Sequence, residues 1–505
     1  MPGGLTAVDW AILLLYALGT VVLGYTCGRR QKTTREYFTG SGRMNPMLIG
    51  FSMFATLLST ISYLAVPGEA ISKGPGGLLN FLAYPFAFLI VVYAIIPVYM
   101  RSRVTSAYEL LEERLGVRVR LLGAVLFVLL RLTWMSLLVF LSAKAVTVML
   151  GVDEAWIPLV TLLTGLVAVL YTSLGGLRAV VITDTVQALL MFGGACLAIG
   201  LVTWELGGLS WIPTGWQPHW DVQPHFSFDP GVRISILGSI FYVFVLTICV
   251  AGGDQTMVQR FMATRDVRAA RRAYLTHLIV SVVIIVSLWT VGFALLGYFQ
   301  EFPGKLPGGI ELVRDGDDVF PYYIAYMLPP GVSGLVVSAM FAAAMSSIDS
   351  GVNSITAVVT RDFLARFGRL PASERKRTRI AKILAFAIGG GVVVGGSFLQ
   401  HVPGNIWAVS NKTSSLLTAP VFGLFFFAFF VPFAKPLGVA VGTGLGIVAG
   451  ALTAFSGPLF GMDPVTGKDP VSFMWVAPSA LAVDLSAGTL ISYWQHRRSR
   501  RRVAR

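Results

Sequence analysis

Charge is what this 505-residue sequence has least of: Asp, Glu, Lys and Arg together make up 13% of it, about half the share usual in a soluble domain. Cysteine is nearly absent, with Cys27, Cys196 and Cys249 isolated in apolar surroundings, which excludes a disulfide framework and a thiolate metal cluster. The five histidines (His219, His225, His277, His401 and His496) show no HExxH or Cys/His spacing, so metal-hydrolase chemistry finds no support. Apolar residues fill the gap, at 55% of the chain and a mean hydropathy of +0.73. The class is an all-α polytopic membrane protein.

Apolar runs of about 20 residues predict thirteen spans, at 5–28, 45–72, 77–100, 120–150, 156–174, 178–206, 234–261, 270–300, 331–361, 381–400, 405–431, 436–455 and 475–494. The net charge of +14 then sorts by side. Arg29 to Arg43, Arg101 to Arg120, Arg260 to Arg272, Arg366 to Lys382 and the tail HRRSRRRVAR fall on one face, against Lys73, Arg233, Lys305, Arg314 and Lys468 on the other. The positive-inside rule makes the rich side cytoplasmic, with the N-terminus outside and the C-terminus inside. The charge therefore describes topology in a lipid bilayer, with the tail available to anionic lipid, and nucleic acid is excluded as a partner. The first span has no basic region before it and reads as retained rather than as a cleaved signal. The acidic loop at 301–330 reads either as an anionic vestibule or as a solvated loop.

One apolar span carries a costly face. In FAAAMSSIDSGVNS at 341–354, Ser346, Asp349, Ser350 and Asn353 recur at helical spacing. A lone Asp at a helix centre costs on the order of 2.5–3.5 kcal/mol in a membrane. A cation bound to that face is the simplest offset, and serines acting as helix-packing glue are the alternative.

Two spans look interrupted. Ser59, Thr60 and Ser62 precede Pro67-Gly68 in one, and Gly252-Gly253 precede Asp254 in the other. With 5–28 set aside, these are the first and sixth of ten core spans, the placing expected of an inverted-repeat transporter with a midplane site. Arg131 lies eleven residues beyond Arg120, about 16 Å into a slab of about 30 Å. A guanidinium at that depth reads either as an anion-binding group or as half of an ion pair with Asp349 or Asp184. Lys412 is a second candidate cation, and Asp484 lies mid-span without an evident role.

ATLLSTISYLAVPGEA at 55–70, YTSLGGLRAVVITDTVQALL at 171–190, GGDQTMVQRFMATRDVRAARRA at 252–273 and AAAMSSIDSGVNSITAVV at 342–359 together resemble the sodium:solute symporter family. That resemblance implies a LeuT-like core of five plus five inverted spans with one extra N-terminal helix and two C-terminal ones. The corresponding divisions are 1–44, 45–206, 207–233, 234–431, 432–494 and 495–505. It implies a sodium ion held by carbonyls of Ala55, Leu58 and Ala343 and hydroxyls of Ser346 and Ser347. It places Asp184, Asp349 and Ser350 at a possible second sodium or exit path, and Ser59, Ser62, Asn80, Arg131, Thr247 and Lys412 near the solute. Hydroxylated residues replace the long polar groups that sugar carriers place on the first core helix, which counts against hexose.

The expectation is a plasma-membrane symporter, not an enzyme, that couples sodium entry to import of a small polar, carboxylate-bearing organic solute by alternating access. A sodium-coupled carrier of a sugar or other neutral solute, and a non-transporting sensor on the same scaffold, are the competing readings.

Overall fold

A computed structural model of the chain describes residues 5–503 apart from 30, 32, 59, 103, 151–152, 222–225, 233, 398–405 and 463–468. The described residues are helical with no strand. Helix α1 (Ala7–Arg29) precedes a bent pair, α2 (Pro46–Leu57) and α3 (Thr60–Lys73). These are followed by α4 (Pro75–Ser102), α5 (Val117–Leu150) and α6 (Ile157–Glu205). The second half begins with another broken helix, α7 (Ile236–Gly253) and α8 (Gln255–Met262), followed by α9 (Val267–Glu301) and α10 (Gly316–Tyr326). The chain continues through α11 (Val332–Val358), α12 (Glu374–Ser397), α13 (Ile406–Phe430), α14 (Pro436–Ala454) and α15 (Val476–Val503).

Ten of the described helices are long and apolar enough to cross a membrane, and eleven if the bent pair is one span. Helix α6 has 49 residues, about 73 Å at 1.5 Å per residue and far more than one crossing needs. It divides at Gly176, whose φ of 57° suits glycine alone, and a Cβ there would meet the Tyr37 carbonyl at 2.7 Å. The two arms correspond to the separate spans expected at 156–174 and 178–206.

Both breaks are built from sequence. Asn45 caps the start of α2 by accepting the Met47 N–H at 2.8 Å, with Pro46 at the first helical position. The helix stops at Leu58, whose ψ of 123° is extended. The segments Pro46–Leu57 and Ser62–Lys73 are inclined at 64°. At the second break Asp254 takes extended torsions and caps α8, accepting the Thr256 N–H at 2.8 Å and its hydroxyl at 2.7 Å. Each break leaves helix-end carbonyls without helical partners. At α7 two tyrosine hydroxyls supply them: Tyr99 donates to the Gly252 carbonyl at 2.5 Å and Tyr108 to that of Gly253 at 3.1 Å.

Around these breaks α11 is the central rod, buried along almost its whole length and packed against α6, α5 and α2. Helix α9 packs on α2 and α3, α1 lies against α6 and α11, α13 packs on α7 and α5, and α14 and α15 pack together and against α13. Beyond the membrane helices, Asp266 caps α9 by accepting the Ala269 N–H at 2.7 Å, and that hydrogen bond holds its carboxyl below the ordinary aspartate value.

Candidate functional site: two broken helices facing a serine-rich rod

The end of α2 and the middle of α11 face each other and share hydrogen bonds. The Ser346 hydroxyl donates to the Ala55 carbonyl at 2.7 Å and lies 3.0 Å from that of Ala343. The Ser347 hydroxyl is 3.3 Å from the carbonyls of both Thr56 and Leu58. Breaking α2 after Leu57 frees these carbonyls, and residues 346–347 sit one turn apart from Ala343 on the face that meets them. Ala55, Leu58, Ala343, Ser346 and Ser347 are therefore brought together, with Thr56 as a further oxygen that the sequence did not suggest. All six are buried. Several neutral oxygens at one buried point suit a hard monovalent cation, which prefers oxygen ligands.

One turn further along α11 lies a charged cluster. Asp184 of α6 and Arg260 of α8 form an ion pair of 3.1 Å with neither side chain exposed. Arg260 also donates to Ser52 at 2.8 Å, to Ser350 at 2.6 Å and to the Thr256 carbonyl at 3.0 Å. Ser52 donates to Asp184 at 2.5 Å, Ser350 to Asp349 at 3.1 Å, and Tyr171 to Asp349 at 2.5 Å. Ser350 is also 2.9 Å from the Thr56 hydroxyl. One guanidinium thus ties α2, α6, α8 and α11 together. This corrects the sequence reading of Arg260 as a loop charge: it is fully buried. The positive-inside count sums cations near span ends without testing their depth, and α8 is buried along its whole length.

Beside the breaks is a cavity of about 280 Å³. Of the residues expected near the solute, Ser62, Asn80, Arg131 and Thr247 line it. Aromatic walls come from Phe81, Tyr84, Trp134, Tyr242 and Trp289, and His277 also faces in. Arg131 pairs with Asp254, and its Nη2 also donates to the Thr256 hydroxyl at 3.0 Å. Its partner is therefore neither Asp349 nor Asp184, which belong to the Arg260 cluster. Asp254, already the cap of α8, is the acid that sequence reasoning passed over; its place directly after Gly252-Gly253 at a helix break was the available signal.

Lys412 and Ser59 complete the residues expected near the solute. Lys412 is not among the cavity-lining residues; it pairs with Asp469. Ser59 lies outside the described residues. Among the described residues, no group of three or more His, Cys, Asp or Glu is arranged to hold a metal ion.

A model of the sodium:solute symporter family matches residues 37–446. The chain is 28% identical over 467 residues to the sodium/sialic acid symporter SiaT of Proteus mirabilis, covering 88% of each sequence. It is 29% identical over 453 residues to the sodium/sialic acid symporter NanT of Aliivibrio fischeri, covering 88% of this chain and 86% of that one. A solved sodium-coupled sialic acid symporter, substrate-bound and outward-open, superimposes with a TM-score of 0.80 at 26% identity over 97% of this chain and 98% of that one. The nucleobase-cation-symport-1 transporter Mhp1, in a closed conformation, gives a TM-score of 0.51 at 11% identity over 92% of this chain and 96% of that one. That second match speaks to the fold alone.

Proposed function

Because this chain belongs to the sodium:solute symporter family, we propose that Ala55, Leu58, Ala343, Ser346 and Ser347 hold the coupling sodium of a carrier importing a small carboxylate-bearing solute. The protein is an all-α, multi-pass membrane transporter of LeuT-like fold. Our reading has thirteen spans, outside N-terminus, cytoplasmic C-terminus, and inverted repeats at 45–206 and 234–431. The observation that carries the sodium assignment is the Ser346 hydroxyl bridging the carbonyls of Ala55 and Ala343, on two different helices, at 2.7 and 3.0 Å. An ion taking those oxygens would fasten α2 to α11, which is how binding energy becomes a choice between conformations.

The solute is assigned to the cavity at the breaks, with Arg131 as its carboxylate contact and Ser62, Asn80 and Thr247 as polar wall. Two of the similar proteins are sialic acid symporters, and sialic acid carries a carboxylate. Asp184, Asp349 and Ser350, one turn cytoplasmic of Ser346, are assigned to the sodium exit path.

Energetics ties solute charge to sodium number. One sodium entering across 100 mV releases about 2.3 kcal/mol, and a tenfold gradient adds about 1.4 kcal/mol. A monoanion travelling with a single sodium forfeits the electrical part, so carboxylate accumulation beyond about tenfold requires at least two sodium ions.

One observation favours a neutral solute instead: Arg131 is already neutralised by Asp254. Uptake into proteoliposomes decides between them. Sialic acid or a short monocarboxylate is expected to accumulate under an inward sodium gradient and not under potassium, and Arg131→Ala is expected to abolish it. Equal uptake in both salts overturns the sodium coupling, and undiminished carboxylate uptake by Arg131→Ala overturns the solute assignment.

A further inference from the structure

Away from the transport core, the cytoplasmic ends of α5, α14 and α15 enclose a groove of about 410 Å³. Its polar groups come from Arg118, Lys435 and Gln495, and its apolar wall from Leu122, Leu437 and Ala440. Several cations at this face are neutralised within the protein, and these two are not. At the same membrane face Arg120 pairs with Glu112 and Asp362, Arg361 with Glu109, and Arg366 with Glu112. Arg118 and Lys435 have no ion-pair partner among the described residues. Two unneutralised cations on one groove repel each other, and an anion between them removes that cost.

The groove is preformed. The Lys435 N–H donates to the Ser492 hydroxyl at 3.2 Å, fixing the start of α14 to α15. Gly438 lets the two helices approach so closely that a Cβ there would meet Ser492 Oγ at 2.4 Å. Its apolar side opens outward through Leu437, which is 61% exposed at the end of a membrane span. Such a site has cations at headgroup depth and an apolar wall running into the hydrocarbon.

We propose that this groove binds an anionic phospholipid, with its phosphate between Arg118 and Lys435 and an acyl chain along Leu122 and Leu437. The apolar wall favours a lipid over free phosphate. Two cations facing one phosphate leave an excess positive charge, which favours a headgroup without its own cation, as in phosphatidylglycerol or cardiolipin, over phosphatidylcholine. Basic residues at the cytoplasmic leaflet each add about 1 kcal/mol of attraction to anionic lipid.

The test uses the full-length protein in neutral detergent, titrated with phosphatidylglycerol, cardiolipin, phosphatidylcholine or inorganic phosphate, with bound lipid counted by native mass spectrometry. The expected result is retention of the anionic lipids at substoichiometric lipid, weakened about fivefold by Arg118→Gln or Lys435→Gln and about thirtyfold by both. The charge-conserving pair Arg118→Lys and Lys435→Arg is expected to retain them. Both positions are at the surface, and elution of each variant as a single species checks folding. Arg369→Gln with Arg379→Gln, on a different basic surface, is expected to leave binding unchanged. Equal retention of phosphatidylcholine, competition by millimolar inorganic phosphate, or unchanged binding in the double glutamine variant each overturns the proposal.

Discussion

Arg260 and Asp184 meet 3.1 Å apart with neither side chain exposed, and through Ser52 and Ser350 the pair joins the first broken helix to the serine-rich rod. Removing one member of a buried pair strands the other, at a cost of about 3–5 kcal/mol. Arg260→Ala and Asp184→Ala are therefore expected to lower the thermal unfolding temperature strongly. The combined Asp184→Leu and Arg260→Met variant is expected to regain most of that stability while transporting poorly. A double variant that unfolds as early as either alanine variant would show that the pair is more than a compensated charge.

Ser346→Ala deletes one hydroxyl from the cluster of oxygens at the α2 break. A hydrogen-bonding group to a charged partner contributes about 1.5–3 kcal/mol, so half-maximal sodium for uptake is expected to rise about 10- to 100-fold with little change in folding. Sodium titration of initial uptake rates measures this. Ser347→Ala, whose contacts are longer at 3.3 Å, is expected to shift less. An unaltered titration in both variants would remove the sodium site from this position.

Asp254→Asn keeps a side-chain oxygen to cap Thr256 but releases the charge on Arg131. A carboxylate solute is then expected to bind more tightly, since it no longer competes with an internal carboxylate, while turnover falls. Equilibrium binding compared with initial uptake rate separates the two effects. Weaker binding would mean that Asp254 holds Arg131 in its receptive position.

Asp484 is fully buried, and neither carboxyl oxygen has a hydrogen-bond partner among the described residues. Gly423 makes room for it: a Cβ there would fall 1.9 Å from Asp484 Oδ2. Asp484→Asn is expected to leave the unfolding temperature unchanged or raised, because it removes an uncompensated acid. Gly423→Ala is expected to destabilise by about 1–3 kcal/mol through overpacking. Transport by Asp484→Asn is expected to match the unmodified chain.

The sequence was most readable where local pattern and function coincide. Helical spacing alone aligned Ser346, Asp349 and Ser350, and the Gly252-Gly253-Asp254 run marked a break that α7 and α8 do make. Arg131 lines the cavity, yet its partner is neither acid that the sequence offers: Asp254 is 123 residues away and sits at the break. Arg260 was misread for a related reason, since span counting assigns any cation near a helix end to a loop. Lys412 shows the converse, a charge inside an apolar run that reaches outward to Asp469. Partnership between distant polar groups depends on how helices converge, which periodicity does not encode.

Tyr99 and Tyr108 come from the first half of the chain, yet they hold the Gly252 and Gly253 carbonyls at the break in the second. That joint is thus shared property. Swinging the inner end of α7 must either drag the end of α4 and the neighbouring Tyr108 segment with it or shed two phenol contacts at once, so the joint favours concerted rocking over independent flexing of a single rod.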